Sequence, residues 1–123
     1  MIFKNSEEKT SEPVILAVDL GTSSMKVALI TINGRVVGWD SEPVKLILSP
    51  EGGAEQSPEE WWQAFIKTSK RLIAKKLVNV KYIKAVCCST QGEGTIPVDR
   101  DGNALMNCVL WMDMRGAPFL KEH

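Results

Sequence analysis

Histidine is almost missing from this 123-residue sequence: the single one, His123, is the last residue. A hydrolase that activates serine or cysteine through a histidine base is thereby excluded. Cysteine is scarce as well. Cys87, Cys88 and Cys108 are odd in number and lack C-x-x-C spacing, so they offer neither a zinc pair nor a redox pair. They are expected to be small buried residues of a reducing compartment. Neither sign of charge is in excess, because 15 Lys and Arg meet 15 Asp and Glu. No polycationic surface remains for nucleic acid or anionic lipid. Long apolar runs are absent too: none approaches the roughly 20 residues that span a bilayer, and the N-terminus MIFKNSEEKTSE is polar rather than signal-like. The expectation is a cytoplasmic protein without a nucleic-acid or membrane partner.

What is present is one domain's length of chain with 44% hydrophobic residues, enough for a core. Residues 1–13 lack periodicity and end at Pro13, which predicts a flexible leader. The run from Val14 to Asp19 is aliphatic without alternation, as a strand buried on both faces would be. Met25 to Ile32 predicts a second strand. Asn33-Gly34 suits the left-handed dihedrals of a hairpin turn, and a third strand follows from Arg35 to Trp39, with Pro43 to Leu48 as a possible extension. Residues 49–58 are dense in Pro, Gly and Ser and read as a loop.

A helix then starts sharply, with Ser57 as N-cap, Pro58 at the first position and Glu60 completing a capping box. Trp61, Phe65 and Leu72 continue one face, with Trp62, Ile66, Ile73 and Leu77 beside them. Lys67, Lys70, Lys75 and Lys76 decorate the rest as a solvated basic face. Ile83 to Ser89 predicts a fourth, buried strand. Beyond it, residues 95–111 read as a short hairpin or two extended segments around an Asp-Gly turn. The order β-β-β-α-β is an α/β meander followed by a helix and further strands, with a mixed sheet whose fourth strand joins after a helical crossover.

Three constellations can carry chemistry. At the end of the first strand, Asp19 is available to a hydrated divalent cation, because strand ends open onto the ligand crevice of α/β sheets. Gly21 lets the backbone approach a ligand, and Thr22, Ser23 and their N–H groups can donate to phosphate oxygens. Lys26 adds positive charge if it points that way. The alternative is a hairpin turn that uses these residues because turns favour them. Second, in Gln91-Gly-Glu-Gly94, Gln91 and Glu93 offer amide donors and a carboxylate acceptor suited to polyol hydroxyls; the alternative is an incidental surface loop. Third, Trp111 can present an aromatic face to a sugar, and Asp113 and Arg115 either contact ligand or pair locally. No H-E-x-x-H, G-x-S-x-G or G-x-x-x-x-G-K-[ST] pattern is present.

In this order, I15-L-A-V-D-L-G-T-S-S-M-K26, the Glu-Gln-Ser-Pro-Glu-Glu-Trp-Trp segment, C88-S-T-Q-G-E-G-T95 and D101-G-N-A-L-M-N-C-V-L-W-M-D-M-R115 resemble the N-terminal part of the FGGY carbohydrate kinases, xylulokinase-like members above all. The resemblance covers roughly residues 14–116. It implies an actin-like, ribonuclease-H-like fold, with ATP and sugar meeting in a cleft between two domains. It also implies that Asp19 positions Mg²⁺ through water, that Gly21, Thr22 and Ser23 line the phosphate end of the nucleotide site, and that Gln91, Glu93 and Trp111 contact a sugar or polyol. The chemistry would be transfer of the ATP γ-phosphoryl group to a substrate hydroxyl. Gly92 stands where glycerol kinases carry Arg, which speaks against glycerol.

Family members are several times longer, and their catalytic Asp base lies further along the chain. Residues 14–123 are therefore expected to be an incomplete first domain, inactive without the remainder of the kinase. The alternative is a non-catalytic carbohydrate-binding or regulatory remnant. A nuclease of the same superfamily would need clustered acids on its central strands, and Asp19 is the only one in the first two.

Overall fold

The computed structural model describes residues 11–120. Most of the expected leader, residues 1–10, and His123 lie outside the described residues. Val14–Leu20 (β1) and Ser24–Thr31 (β2) pair antiparallel, with Asp19 directly opposite Lys26. The Asn33-Gly34 turn works as its residues predict: Gly34 takes φ +81°, a conformation that costs a residue without a Cβ little. Val36–Pro43 (β3) returns antiparallel to β2. The third strand stops at Pro43 rather than running on through Leu48. Pro43 has no N–H for a further ladder bond, and Val44 N–H turns away to donate to Ser23 O at 3.1 Å.

Ile47–Leu48 (β4), Ala54–Gln56 (β5) and Cys108–Val109 (β7) form a second, three-stranded sheet in the order β4-β5-β7. β5 lies inside the stretch expected to be a loop. Its three residues, wedged between Gly53 and the Ser57-Pro58 helix start, are too few to show a period.

The helix α1 spans Pro58–Ala74, and Ser57 Oγ accepts from Glu60 N–H at 3.3 Å, so the predicted start is the real one. Its buried stripe is Ala64, Thr68 and Leu72, narrower than the apolar pattern implied. Small residues at 64 and 68 let the helix sit close to the sheet, while Trp62 is 57% exposed and Ile73 also faces outward. Thr68 is fully buried yet satisfied, its hydroxyl donating to Ala64 O at 2.7 Å. The basic face is partly tied down: Arg71 binds Asp40 and Glu42 at 2.7 Å each, and Lys75 lies 3.5 Å from Asp40.

After a 3₁₀ turn at Val80–Tyr82, Ile83–Thr90 (β6) pairs parallel to β1, completing a mixed sheet of order β3-β2-β1-β6. The meander and crossover follow the predicted order. Two burial expectations fail. β1 alternates, with Val14, Leu16 and Val18 buried and Ile15 and Ala17 half-buried, because α1 covers one face of the sheet only. β6 is exposed along almost its whole length, since it is an edge strand. Cys87 and Cys88 are therefore exposed, and only Cys108 is buried as expected.

Residues 95–109 form the anticipated hairpin-like return, held by antiparallel bridges Thr95 to Val109 and Val98 to Ala104. At its tip Asp99 Oδ1 accepts from the N–H groups of Asp101 and Asn103 at 2.9 Å each, and Gly102 takes φ +85°. Trp61 packs against both apolar clusters, the large one under α1 and a small one of Ala54, Cys108 and Leu110.

Candidate functional site

The β1–β2 hairpin closes through Gly21 N–H donating to Ser24 O at 3.0 Å, which puts Thr22 and Ser23 at the tip. Their own N–H groups have no partner among the described residues, so they are free for an anion. Lys26 does point toward this turn: its Nζ lies 3.1 Å from Asp19 Oδ2. It also lies 3.4 Å from where a Cβ on residue 21 would stand, so a glycine there leaves room for the ammonium. Asp19, Gly21, Thr22, Ser23 and Lys26 thus converge on one end of the sheet.

β6 ends at the same place, because it runs parallel to β1 and pairs Ser89 with Asp19. Gln91 N–H donates to Leu20 O at 2.7 Å, and Thr22 Oγ1 donates to Gln91 Oε1 at 2.9 Å. The two loops singled out in the sequence are in direct contact. Thr22 differs from expectation in one respect. Its single hydroxyl proton is committed to Gln91, so toward the crevice it presents lone pairs rather than a donor to phosphate.

Glu93 sits at φ +58°, a left-handed conformation unusual for a residue with a side chain. It is exposed and has no hydrogen-bond or ion-pair partner among the described residues. The two flanking glycines do different jobs. A Cβ at Gly92 would meet only open space, whereas one at Gly94 would come within 2.8 Å of Cys108 Sγ, so Gly94 is needed for packing. The antiparallel bridge between Thr95 and Val109 leaves Glu93 and Trp111 each two residues beyond it on the same end. Trp111 is 57% exposed there, its ring available to a ligand.

Asp113 takes the local pairing. Its side chain is only 6% exposed, and it accepts from Ala54 N–H at 2.9 Å and from Arg115 at 2.7 Å. Arg115 holds the Asp113 carboxyl far below the usual carboxylate range, with help from the Ala54 N–H. Arg115 in turn binds Glu55 at 2.7 Å, so the whole group clamps β5 to the segment that bears Trp111.

Sequence reasoning missed Gln56 altogether. It is fully buried in β5, donates from Nε2 to Thr22 O at 2.7 Å and accepts from Gln91 Nε2 at 2.8 Å. Its signals were its place in the Glu-Gln-Ser-Pro-Glu-Glu-Trp-Trp segment and an uncharged side chain just before a helix cap, neither of which singles it out.

No group of three or more His, Cys, Asp or Glu side chains among the described residues can cage a metal. Asp19, the acid at the turn, is one carboxylate beside a lysine. That suits Mg²⁺ that keeps its waters and arrives on a nucleotide, because Mg²⁺ typically uses one or two carboxylates plus phosphates. Among the described residues no helix is long and apolar enough to cross a membrane.

The parallel β1–β6 pair thus ends on an acid-and-hydroxyl turn with the Gln91–Gly94 loop in contact beside it. Residues 14–122 match the N-terminal domain of the FGGY family of carbohydrate kinases, and the chain belongs to that family. It is 36% identical over 104 residues to the xylulose kinase of Bacillus subtilis, covering 85% of this chain and 21% of that protein. Among solved structures, gluconate kinase from Lactobacillus acidophilus superposes with a TM-score of 0.78 at 28% identity, over 89% of this chain and 22% of that one. Plasmodium falciparum glycerol kinase with ADP gives 0.76 at 26%, over 88% and 22%. The fold is that of the actin-like, ribonuclease-H-like class as a partial α/β domain. The chain spans about a fifth of the length of the relatives it matches.

Proposed function

We propose that these residues form the N-terminal half of an ATP-dependent kinase site that phosphorylates a hydroxyl of a sugar or polyol, in a cytoplasmic protein. The observation that carries this reading is the direct contact between the turn at Thr22 and the loop at Gln91. A phosphoryl donor and a hydroxyl acceptor must lie side by side for in-line transfer, and most of the catalysis is then positioning and charge neutralisation.

ATP would supply the transferable phosphoryl group, with Mg²⁺ offsetting its charge. On the chain's side, the Thr22 and Ser23 N–H groups bind phosphate oxygens, and Lys26 leaves Asp19 partly free to hold the hydrated cation while its own charge faces the anion. Gln91 and Glu93 orient substrate hydroxyls, and Trp111 covers the sugar's C–H face. Asp113 ties the segment that bears Trp111 to β5. By the family resemblance, the base that takes the hydroxyl proton lies outside these residues. The remainder of such a kinase is the partner this half-site needs, and the 123-residue chain alone is inactive.

Calorimetric titration with D-xylulose, D-gluconate and glycerol, with and without MgATP, tests this. Glu93→Gln should weaken binding of whichever polyol is taken by about 10-fold or more, as expected when a charged hydrogen bond is lost. Unchanged affinity would remove Glu93 from the site. Turnover by the chain in an ATP-coupled assay would refute its inactivity, and tight sugar binding indifferent to nucleotide would favour a non-catalytic carbohydrate-binding remnant.

A further inference from the structure

Gln56 joins Thr22 and Gln91 in a closed ring of hydrogen bonds. Gln56 Nε2 donates to Thr22 O, Gln91 Nε2 donates to Gln56 Oε1, and Thr22 Oγ1 donates to Gln91 Oε1, all between 2.7 and 2.9 Å. The direction of every bond follows from one obligate acceptor. A backbone carbonyl can only accept, so Gln56 must turn its NH₂ to Thr22 and its oxygen to Gln91. Gln91 must then present its NH₂ to Gln56, and the oxygen left over takes the Thr22 proton. Gln56 is fully buried, and both polar atoms of its amide are bonded to uncharged groups.

We propose that Gln56 is a positioning residue that locks the turn at Thr22 and the loop at Gln91 into one unit and sets the direction of the protons between them. The proposal rests on the reading of those two loops as phosphate and polyol sites. With the ring closed, Gln91 keeps one N–H and one lone pair for a ligand, the pairing that a hydroxyl group satisfies as both acceptor and donor. A phosphate oxygen accepts only, so it gains the Thr22 proton only by taking it from Gln91. Phosphate at the turn then leaves Gln91 with a second lone pair, and the acceptor side of the site feels the donor side through a single proton.

Nitrogen-15 NMR of the full chain reads this directly, because the sequence holds only three glutamines, Gln56, Gln63 and Gln91. In the unaltered chain the side-chain amide signals of Gln56 and Gln91 should be displaced from those of the exposed Gln63 and exchange with solvent about 10-fold more slowly. Gln56→Leu should shift the Gln91 pair and remove that protection, with the backbone signals of β1, β2 and β3 unmoved. Thr22→Val, at the half-buried turn, replaces the hydroxyl with a methyl group of similar size and so removes the proton donor. It should shift both glutamine pairs, and it keeps the test alive if Gln56→Leu does not fold.

Gln56→Glu accepts from Gln91 at any pH but donates to Thr22 O only when protonated. Its Gln91 signals should therefore return toward the original position as pH is lowered, a rescue that space filling alone would not produce. A Gln91 pair unmoved in a folded Gln56→Leu or Thr22→Val chain overturns the proposal. If the ring responds as stated but neither MgATP nor D-xylulose moves any signal, the lock stands and the ligand assignments fall.

Discussion

Beneath α1, residues from β1, β2 and α1 together with Val44 and Val78 make a continuous apolar core in which Val14, Leu72, Val27 and Leu29 are essentially inaccessible. Around β5 and β7 the buried apolar set shrinks to Ala54, Cys108 and Leu110. The second region is held instead by directional bonds: the Gln56 ring, Asp113 on Ala54 N–H and Arg115, Arg115 on Glu55, and Asn107 on Glu55 at 3.1 Å. Apolar burial is strong but non-directional, and hydrogen bonds are individually weak but fix angles. The division matches the roles. The large core carries the stability, and the polar region holds Gln91 against the turn at Thr22 and ties β5 to the segment that bears Trp111.

The largest effect should come from the apolar side. Leu72→Ala removes a fully buried side chain from the main cluster and should cost about 3 kcal/mol, within the 2–5 kcal/mol range of such truncations. Urea unfolding measures it as a lower midpoint at unchanged slope. A cost below about 1 kcal/mol would mean that α1 is not docked on the sheet as described.

The polar side breaks differently. Asp113→Asn removes the charge that Arg115 and the Ala54 N–H stabilise, and it should loosen β5 and the Trp111 segment while the α1 core stays intact. Because the folded carboxyl titrates far below its ordinary value of 3.8, its contribution is complete above that value and is lost as pH falls from there toward the folded-state value. The unaltered chain should therefore lose stability as pH drops below about 4, and Asp113→Asn should be less stable at neutral pH with a flatter acid limb. Thermal midpoints between neutral and acid pH distinguish the two. Parallel acid limbs would show that Asp113 is not the clamp.

Legibility in the sequence follows the same division. The hairpin of β1 and β2, the turn at Gly34 and the start of α1 were readable because each is dictated by local chemistry: an apolar run, a left-handed dihedral, a cap followed by proline. Asp19, Thr22 and Lys26 could be placed on one turn for that reason. The Asp113–Arg115 pair was readable as a local alternative, but the Gln56 ring and the bond from Ala54 to Asp113 were not, since those partners are 34 to 59 residues apart in sequence. The exposure of Cys87 and Cys88 was hidden for a third reason. An apolar run records that a strand can be buried, and its position at the edge of the sheet decides whether it is.

The smallest effect sharpens the comparison from within the apolar region, where one polar device is also present. Arg71 on α1 reaches β3 with bonds to Asp40, Glu42 and the Ser41 carbonyl, and it holds Asp40 below its ordinary range. Arg71 is 44% exposed, so water and salt compete with each of these bonds. If directional bonds matter only where apolar burial is thin, Arg71→Met, which keeps the aliphatic stem, should lower the melting midpoint far less than Leu72→Ala. The remaining difference should fade as ionic strength approaches 1 M, where the screening length falls to about 3 Å. A loss that rivals Leu72→Ala and persists in high salt would make the Arg71 contacts a principal fastening of α1 to the sheet, and the contrast between the two regions would then be one of degree.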